Sequence, residues 1–181
     1  MRFNCLIAGI GGQGIVLASK LLAAAAMKRE LDVRTTETIG MAQRGGSVVS
    51  HVRAGDRIFS PLIPLGSADI LIGLDPAEAV RQLPYLAEKG KLVTYDGTED
   101  MEDYIKSSIS ESVILPNETV KAQYSRMQNV ALLGAAVQTG AFPFGEDALL
   151  EVISEMDRYR EENLEAFDLG KKLYYEYFRK H

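Results

Sequence analysis

Cysteine is almost absent from this 181-residue sequence, which contains only Cys5. A single thiol cannot form an intramolecular disulfide, an all-thiolate zinc site or an iron–sulfur cluster held by this chain alone, because each of these needs several cysteines. We therefore expect a protein of a reducing compartment, the cytoplasm, with Cys5 as an inert core thiol of its strand.

Long apolar runs are also missing. The longest uninterrupted one, residues 21–27, has seven residues, whereas roughly 20 are needed to span a bilayer. Glycine already appears at Gly9, where the apolar core of a signal peptide should continue. The sequence thus predicts neither a membrane segment nor a secretory signal.

Recognisable catalytic motifs are the third absence. The sequence has no nucleophile elbow, no P-loop lysine, no His/Glu metal signature and no CxxC pair. His51, the only internal histidine, stands in an alternating strand without a neighbouring Asp or Cys, which favours a structural or interfacial role over catalysis. We therefore assign no catalytic residue and no metal site to this chain.

The remaining composition is that of an ordinary globular protein. With 46% hydrophobic and 25% charged residues and no linker-like segment, it predicts one domain over residues 1–181. The net charge of −5 argues against a general nucleic-acid-binding surface. Residues 1–57 nevertheless hold 8 basic and 4 acidic side chains, so an anionic ligand is expected there, unless this positive segment only pairs with the acidic remainder.

Strand-like and helix-like segments alternate along the chain. This alternation predicts an α/β fold of three layers, a mostly parallel sheet with helices on both faces and a Rossmann-like first βα unit. An antiparallel hairpin is expected over residues 47–60, and the acidic and polar residues 97–111 are expected to be a variable excursion. The predicted strands span 2–9, 33–39, 47–53, 57–60, 68–74, 91–96 and 113–115, and the predicted helices span 13–30, 76–88, 125–139, 146–155 and 157–178.

Two helical patterns indicate core packing. The first predicted helix is rich in small residues, so it is expected to lie close against the sheet. The last carries an aromatic stripe of Phe167, Tyr174 and Phe178, which is more typical of a core than of a cofactor pocket.

The first motif suited to chemistry, Gly9-Ile10-Gly11-Gly12-Gln13-Gly14, lies between the first strand and the first helix. It has the G-x-G-x-x-G spacing of dinucleotide-binding loops, and backbone N–H groups at a helix start favour an anion. However, only Asp32 or Glu37 stands near the position of a ribose-binding acid, and residues 40–46 are too short for a parallel crossover. The pattern favours a structural tight turn or a different anion over NAD or FAD.

The second motif is the glycine-bounded loop Gly40-Met41-Ala42-Gln43-Arg44-Gly45-Gly46-Ser47. Arg44, followed by two glycines, projects from a pliable backbone, and a guanidinium suits phosphate or carboxylate recognition. A solvated loop arginine is an equal alternative on the sequence alone.

Several separated motifs together are more specific than either loop. In chain order they read GIGGQGIVLASKLLAAAA, GMAQRGGSVVSHVR, SPLIPLGSADILIGLDPAEAVR, SRMQNVALLGAAV and NLEAFDLGKK. With them the sequence resembles the γ-type subunit or domain of the 2-oxoacid:ferredoxin oxidoreductases, and within that family it is most similar to the small (β) subunit of the indolepyruvate type. The resemblance covers residues 4–172 apart from the acidic stretch 97–111.

The resemblance implies a subunit of a complex that oxidatively decarboxylates a 2-oxoacid, an aryl one such as indolepyruvate. The acyl group would pass to coenzyme A and the electrons to ferredoxin. Thiamine diphosphate, its Mg²⁺ and the 4Fe–4S clusters are expected in a large partner subunit, because this sequence has no GDG…N thiamine motif and only one cysteine. This chain is expected to bind no cofactor by itself and to be inactive alone.

The resemblance, together with the positive charge of residues 1–57, also implies where a cofactor or the coenzyme A phosphates would be contacted. The expected residues are Gly11, Gly12, Gln13, Gly14, Gln43, Arg44, Gly45, Gly46 and Ser47. Two alternatives stay open, a stand-alone nucleotide-binding or sensor protein that uses the Gly9–Gly14 turn, and a purely structural partner module. The isolated chain could also form a homodimer, because surface meant for a missing subunit would expose apolar area.

Overall fold

The computed structural model describes residues 1–40 and 45–180. Its strands are β1 Arg2–Ile10, β2 Asp32–Ile39, β3 Ser47–Gly55, β4 Ala68–Gly73, β5 Leu86–Tyr95 and β6 Glu111–Leu115. Its helices are α1 Ile15–Met27, α2 Pro76–Gln82, α3 Glu99–Ser108, α4 Asn117–Tyr124, α5 Gln128–Val137, α6 Gly145–Ser154 and α7 Arg160–Lys180. The strands form one sheet in the order β2-β3-β1-β4-β5-β6.

The sheet is mixed, and β3 alone runs against the other strands. β1 pairs in parallel with β4, and parallel pairing continues through β5 to β6. β3 lies antiparallel between β2 and β1, because the short connection from β2 at residues 40–46 cannot make a parallel crossover. The predicted α/β class, with a mostly parallel sheet and an antiparallel element, is confirmed.

Helices cover both faces of the sheet and give the predicted three layers. Helices α1, α4, α5, α6 and α7 pack on the face that carries Cys5 and Ile7, while α2 and α3 pack on the face that carries Leu6 and Ala8. Successive residues of β1 enter different cores because side chains alternate along a strand. Cys5 is fully buried, and burial raises the pKa of its thiol, so it is the inert core residue that was expected.

The predicted hairpin over residues 47–60 is wrong. Both edges of β3 are already paired, to β1 and to β2, so residues 57–60 have no strand to join. The chain instead continues as an irregular segment over residues 56–67, here called the strap. His51 and Arg53 of β3 hydrogen-bond to its backbone, so the strap lies over the side of the sheet that carries α2 and α3.

Helix α2 ends at Gln82, earlier than predicted. A 3-10 turn over Leu83–Tyr85 follows it and contains Pro84, whose missing N–H prevents the helix from continuing. Gly90, just past the predicted end of that helix, lies inside β5. A Cβ atom there would stand 2.7 Å from the carbonyl oxygen of Ala68, so glycine is needed for close approach of two strands.

Two other segments differ from prediction in the C-terminal half. The acidic stretch 97–111, where no helix was predicted, contains α3. Its first turn carries acidic side chains that suit a helix N-terminus, and Ile105 packs into the core. The single helix expected over 125–139 is shorter and is preceded by α4, so two helices occupy this region.

Helix α7 packs along α5 and against β6. Of its aromatic stripe, Phe167 is fully buried, Tyr174 is half-buried and Phe178 is 57% exposed, so the predicted core role holds only for the inner part. Within residues 1–40 and 45–180, no helix combines the length and apolar character that a membrane crossing requires.

Candidate functional site

The candidate site lies at the carboxyl ends of the adjacent strands β1 and β4. Helix α1 follows β1 onto one face of the sheet, and α2 follows β4 onto the other. The crevice between these two strand ends is therefore a topological switch point, the position at which open α/β sheets bind ligands. The first glycine-rich loop leaves β1 at this point.

Gln13 holds the first loop in a tight turn. Its backbone N–H donates to the carbonyl of Ile10 at 3.1 Å, and its side-chain Oε1 accepts from the Ile10 N–H at 2.7 Å. Its Nε2 lies 3.5 Å from the carbonyl oxygen of Leu74, just beyond β4. The Gln13 amide thus ties the turn to the neighbouring strand and shapes the loop from within.

The glycines of this loop have different surroundings. Gly14 has φ of 82° and precedes α1, and its carbonyl accepts from Asn129 Nδ2 of α5 at 3.1 Å. A Cβ at Gly14 would lie 2.6 Å from that nitrogen, so this position is enclosed. Gly11 and Gly12 are exposed, and a Cβ at Gly12 would meet nothing within 4 Å. The loop therefore presents its backbone to the surroundings at Gly11 and Gly12.

The structure brings the end of the second loop against the first. The N–H of Gly11 donates to the carbonyl of Gly46 at 2.9 Å, and the N–H of Gly40 donates to the carbonyl of Ser47 at 2.8 Å. Gly45 has φ of 68° and is exposed. Gln43 and Arg44 lie outside the described residues. Gly45, Gly46 and Ser47 thus adjoin the Gly11–Gly12 turn at the switch point.

Glu78 is a residue of this site that the sequence patterns did not single out. Ser47 Oγ donates to Glu78 Oε2 at 2.6 Å, and Glu78 also pairs with Arg81. Glu78 is only 4% exposed and stands in the first turn of α2, where Asp75 accepts its N–H. In the sequence it resembles an ordinary helix-start acid, so only the tertiary contact with Ser47 distinguishes it.

The acidic residues considered for a dinucleotide ribose stand in unsuitable places. Strand β3 separates β2 from β1, whereas a dinucleotide fold needs its acid at the end of the strand beside the glycine loop. Asp32 begins β2 at the end far from that loop, pairs with Arg34 and accepts the N–H of Ile58. Glu37 lies on the edge strand near Ser19. The geometry gives neither acid the ribose-binding position.

His51 has a structural environment. It is 3% exposed, its Nδ1 accepts the N–H of Ile63 at 3.2 Å, and its ring meets the Tyr85 ring edge-on at 5.6 Å between centroids. Burial, and then the nearby Arg53 charge, lower the pKa of His51. The neutral imidazole therefore holds the strap, as the predicted structural role requires.

Acidification is expected to destabilise the protein through His51. Because the folded-state pKa is lowered, the unfolded chain takes up this proton first, so the contribution is complete above about pH 6.5 and is lost below it. The slope is at most about 1.4 kcal/mol per pH unit. The effect is measured by the urea midpoints of the wild type and of His51→Gln at pH values above and below about 6.5, since Gln keeps an acceptor but does not titrate. Parallel pH profiles for the two proteins would contradict the assignment.

The fold defines the class of this protein, a Rossmann-like α/β domain in which two glycine-rich segments adjoin at the switch point. The chain belongs to the pyruvate ferredoxin/flavodoxin oxidoreductase family, whose model matches residues 4–173. This match confirms the resemblance drawn from the sequence motifs.

Two named relatives have nearly the same length as this chain. The chain is 34% identical to the indolepyruvate oxidoreductase subunit IorB of Pyrococcus horikoshii, over 94% of this chain and 95% of that protein. It is 37% identical to the corresponding subunit of Archaeoglobus fulgidus, over 94% of each chain.

Solved structures share the fold. The 2-oxoglutarate:ferredoxin oxidoreductase of Magnetococcus marinus, solved with 2-oxoglutarate, coenzyme A and succinyl-CoA bound, superposes with a TM-score of 0.77 at 25% identity, over 96% of this chain and 31% of that one. The pyruvate oxidoreductase subunit PORC of Thermotoga maritima gives a TM-score of 0.73 at 21% identity, over 96% of both chains. Nearly all of this chain thus matches about a third of the longer Magnetococcus polypeptide.

Proposed function

We propose that this chain is the small, γ-type subunit of an indolepyruvate:ferredoxin oxidoreductase, a complex that converts an aryl 2-oxoacid to its acyl-coenzyme A derivative. The observation that carries the proposal is the similarity to IorB subunits, which extends over nearly the full length of both chains. The complex oxidises the 2-oxoacid with loss of CO₂, and ferredoxin accepts the electrons.

The residues of this chain do not fit the redox groups of such a complex. An iron–sulfur cluster needs several cysteine thiolates, whereas this chain has only Cys5. Cys5 is fully buried in β1, and burial raises the pKa of its thiol. Among residues 1–40 and 45–180, no group of three or more His, Cys, Asp or Glu side chains is placed to hold a metal ion. We assign the clusters, thiamine diphosphate and Mg²⁺ to a large partner subunit.

The contribution of this chain is a preformed loop surface. Gly11, Gly12 and Gly45 expose their backbone at the switch point, and Gly46 and Ser47 fix the second loop against the first. Gln13 and Gly14 shape the turn from inside. In our proposal this surface faces the large subunit beside the coenzyme A phosphates or the cofactor. The positive charge of residues 1–57 supports an anionic ligand.

Replacing Arg44 with alanine is expected to raise the Michaelis constant for coenzyme A, or to weaken assembly, by about tenfold or more, because a charge-assisted hydrogen bond contributes about 1.5–3 kcal/mol. The measurement uses the complex reconstituted with the large subunit and a ferredoxin- or viologen-linked assay over several 2-oxoacids. Arg126→Ala, which removes an arginine that is exposed and distant in the sequence from both glycine-rich loops, is the matched control.

This assay, together with calorimetry on the isolated chain, separates the remaining hypotheses about function. Unchanged assembly and unchanged kinetics for Arg44→Ala would leave the chain as a structural module and overturn the ligand-facing role of the loops. Micromolar binding of NAD or FAD to the isolated chain in calorimetry would favour the nucleotide-binding protein. A purified complex that oxidises no aryl 2-oxoacid would overturn the substrate assignment.

A further inference from the structure

The strap, residues 56–67, carries a row of exposed apolar side chains. Phe59 is 81% exposed, Leu62 54% and Leu65 67%, whereas Ile63 between them is buried in the core. Single exposed apolar residues are normal on a protein surface, but several large ones on one short segment indicate a binding surface. The outer side of the strap is therefore a candidate docking surface, formed by Phe59, Leu62 and Leu65.

Polar side chains beneath the strap hold its backbone in one conformation. Arg53 Nη1 donates to the carbonyls of Ser60 and Leu62 at 2.8 and 2.9 Å. The strap is fixed further along by three bonds, from the Ile58 N–H to Asp32, from the Ile63 N–H to His51 and from the Gly66 N–H to the carbonyl of Pro84. A surface that is ordered before binding loses little conformational entropy when a partner arrives.

Two cationic groups beside this surface lack a carboxylate partner. Arg53 is 7% exposed, and its hydrogen bonds all go to neutral oxygens, those of Asn4, Ser60 and Leu62. Arg57 lies over the Phe59 ring at 4.8 Å. Neither guanidinium forms an ion pair with any residue in the described parts of the chain. Arg53 lies beneath the strap and is satisfied by these oxygens, whereas Arg57 is exposed beside Phe59. The charge that a partner meets on the outer side is therefore positive, and an acidic rim would complement it.

We propose that the outer side of the strap docks into an apolar groove of the large subunit whose rim carries Asp or Glu side chains facing Arg57. Phe59 is the aromatic anchor of this contact, with the Arg57 guanidinium over its ring, and both aromatic residues and arginine are enriched at protein interfaces. This inference rests on the proposed function for the identity of the partner. It adds a surface separate from the glycine-rich loops, on the side of the sheet that the strap covers.

The test compares two aspartate substitutions on the chain co-purified with the large subunit. Phe59→Asp is expected to raise the dissociation constant of the complex by about 30-fold or more, as for an interface anchor. Met27→Asp is the matched control, because Met27 is 58% exposed and ends α1, whose helix packs on the other face of the sheet. Urea unfolding of each free variant shows whether a loss of binding comes from lost folding, and Leu65→Asp repeats the test at a second exposed position.

The outcomes are distinct. Loss of binding in Phe59→Asp and Leu65→Asp, but not in Met27→Asp, supports the docking surface. Weaker binding of the wild-type chain at high salt supports the acidic rim of the partner. If both strap variants bind the large subunit as tightly as the wild type does, this inference is overturned and the proposed function stays intact. If the strap substitutions instead convert a dimer of the isolated chain to a monomer without changing binding of the large subunit, the occupant is a second copy and the proposal fails.

Discussion

Replacing Gly170 with alanine is expected to destabilise the protein by about 3 kcal/mol. A Cβ at Gly170 in α7 would lie 1.8 Å from the carbonyl oxygen of Ala131 in α5, and one at Gly134 in α5 would lie 2.1 Å from the carbonyl oxygen of Phe167 in α7. The two helices therefore touch backbone to backbone at both positions. The obstructing atoms belong to helical carbonyls and cannot rotate away, so the helices must separate.

Urea denaturation measures this effect, with Gly11→Ala as the control. At Gly11 the nearest atom to an added Cβ is 3.7 Å away, so the change in the free energy of unfolding is expected to stay within about 0.5 kcal/mol. Alanine otherwise favours a helix over glycine by about 1 kcal/mol, so a Gly170→Ala protein as stable as the wild type would refute the close contact. Gly134→Ala is expected to behave like Gly170→Ala, and the double variant to be less than additive, because the first separation of the helices relieves the second clash.

The second large effect is expected for Phe167→Ala, at about 3–5 kcal/mol. Phe167 is among the largest fully buried side chains and lies where α7 meets α5. Its removal leaves a cavity lined by helix atoms that pack too tightly to collapse into it. Loss of α7 docking would also uncover the β6 edge of the sheet, against which that helix packs.

Phe178→Ala is the matched control for this prediction. Phe178 belongs to the same aromatic stripe and contacts the Tyr174 ring at 5.0 Å between centroids, but it is 57% exposed. Its truncation is expected to cost less than about 1 kcal/mol. Similar urea midpoints for the two variants would contradict the burial difference between the two ends of α7.

The sequence predicted most of the elements because their local patterns are strong. The β-rich run of β1, the small-residue helix α1 and the Asp75-Pro76 start of α2 are encoded by residues that neighbour one another in the chain. The short link at residues 40–46 also indicated that no parallel crossover joins β2 to the next strand.

The errors arose where a distant partner decides the local structure. Residues 57–60 have β-like character, yet β3 already pairs with the preceding strand β2 on one side and with the distant strand β1 on the other. The acidic stretch 97–111 gave no helix prediction, but packing of Ile105 against the sheet stabilises α3. Pairing and packing of this kind depend on the whole fold, which a local pattern does not contain.

Part of the candidate site could likewise be predicted from local patterns, and part depends on the whole fold. The glycine-rich loops and their helix start were recognised from spacing, whereas Glu78 and the contact between Gly11 and Gly46 were not. The exposed row on the strap also needed the structure, because Ile63 and Leu62 are equally apolar in the sequence and only the fold buries one and exposes the other.

The sequence by itself determined the scarcity of thiols, the absence of a self-sufficient catalytic motif and the membership of a family of multisubunit oxidoreductases, since these depend on residue identity and order. Only the tertiary structure decided that two glycine-rich segments separated along the chain meet at the end of β1, and that a buried glutamate anchors one of them. The physical reason is that hydrogen bonding and burial act between residues that are close in space, and the order of strands in the sheet sets which residues those are.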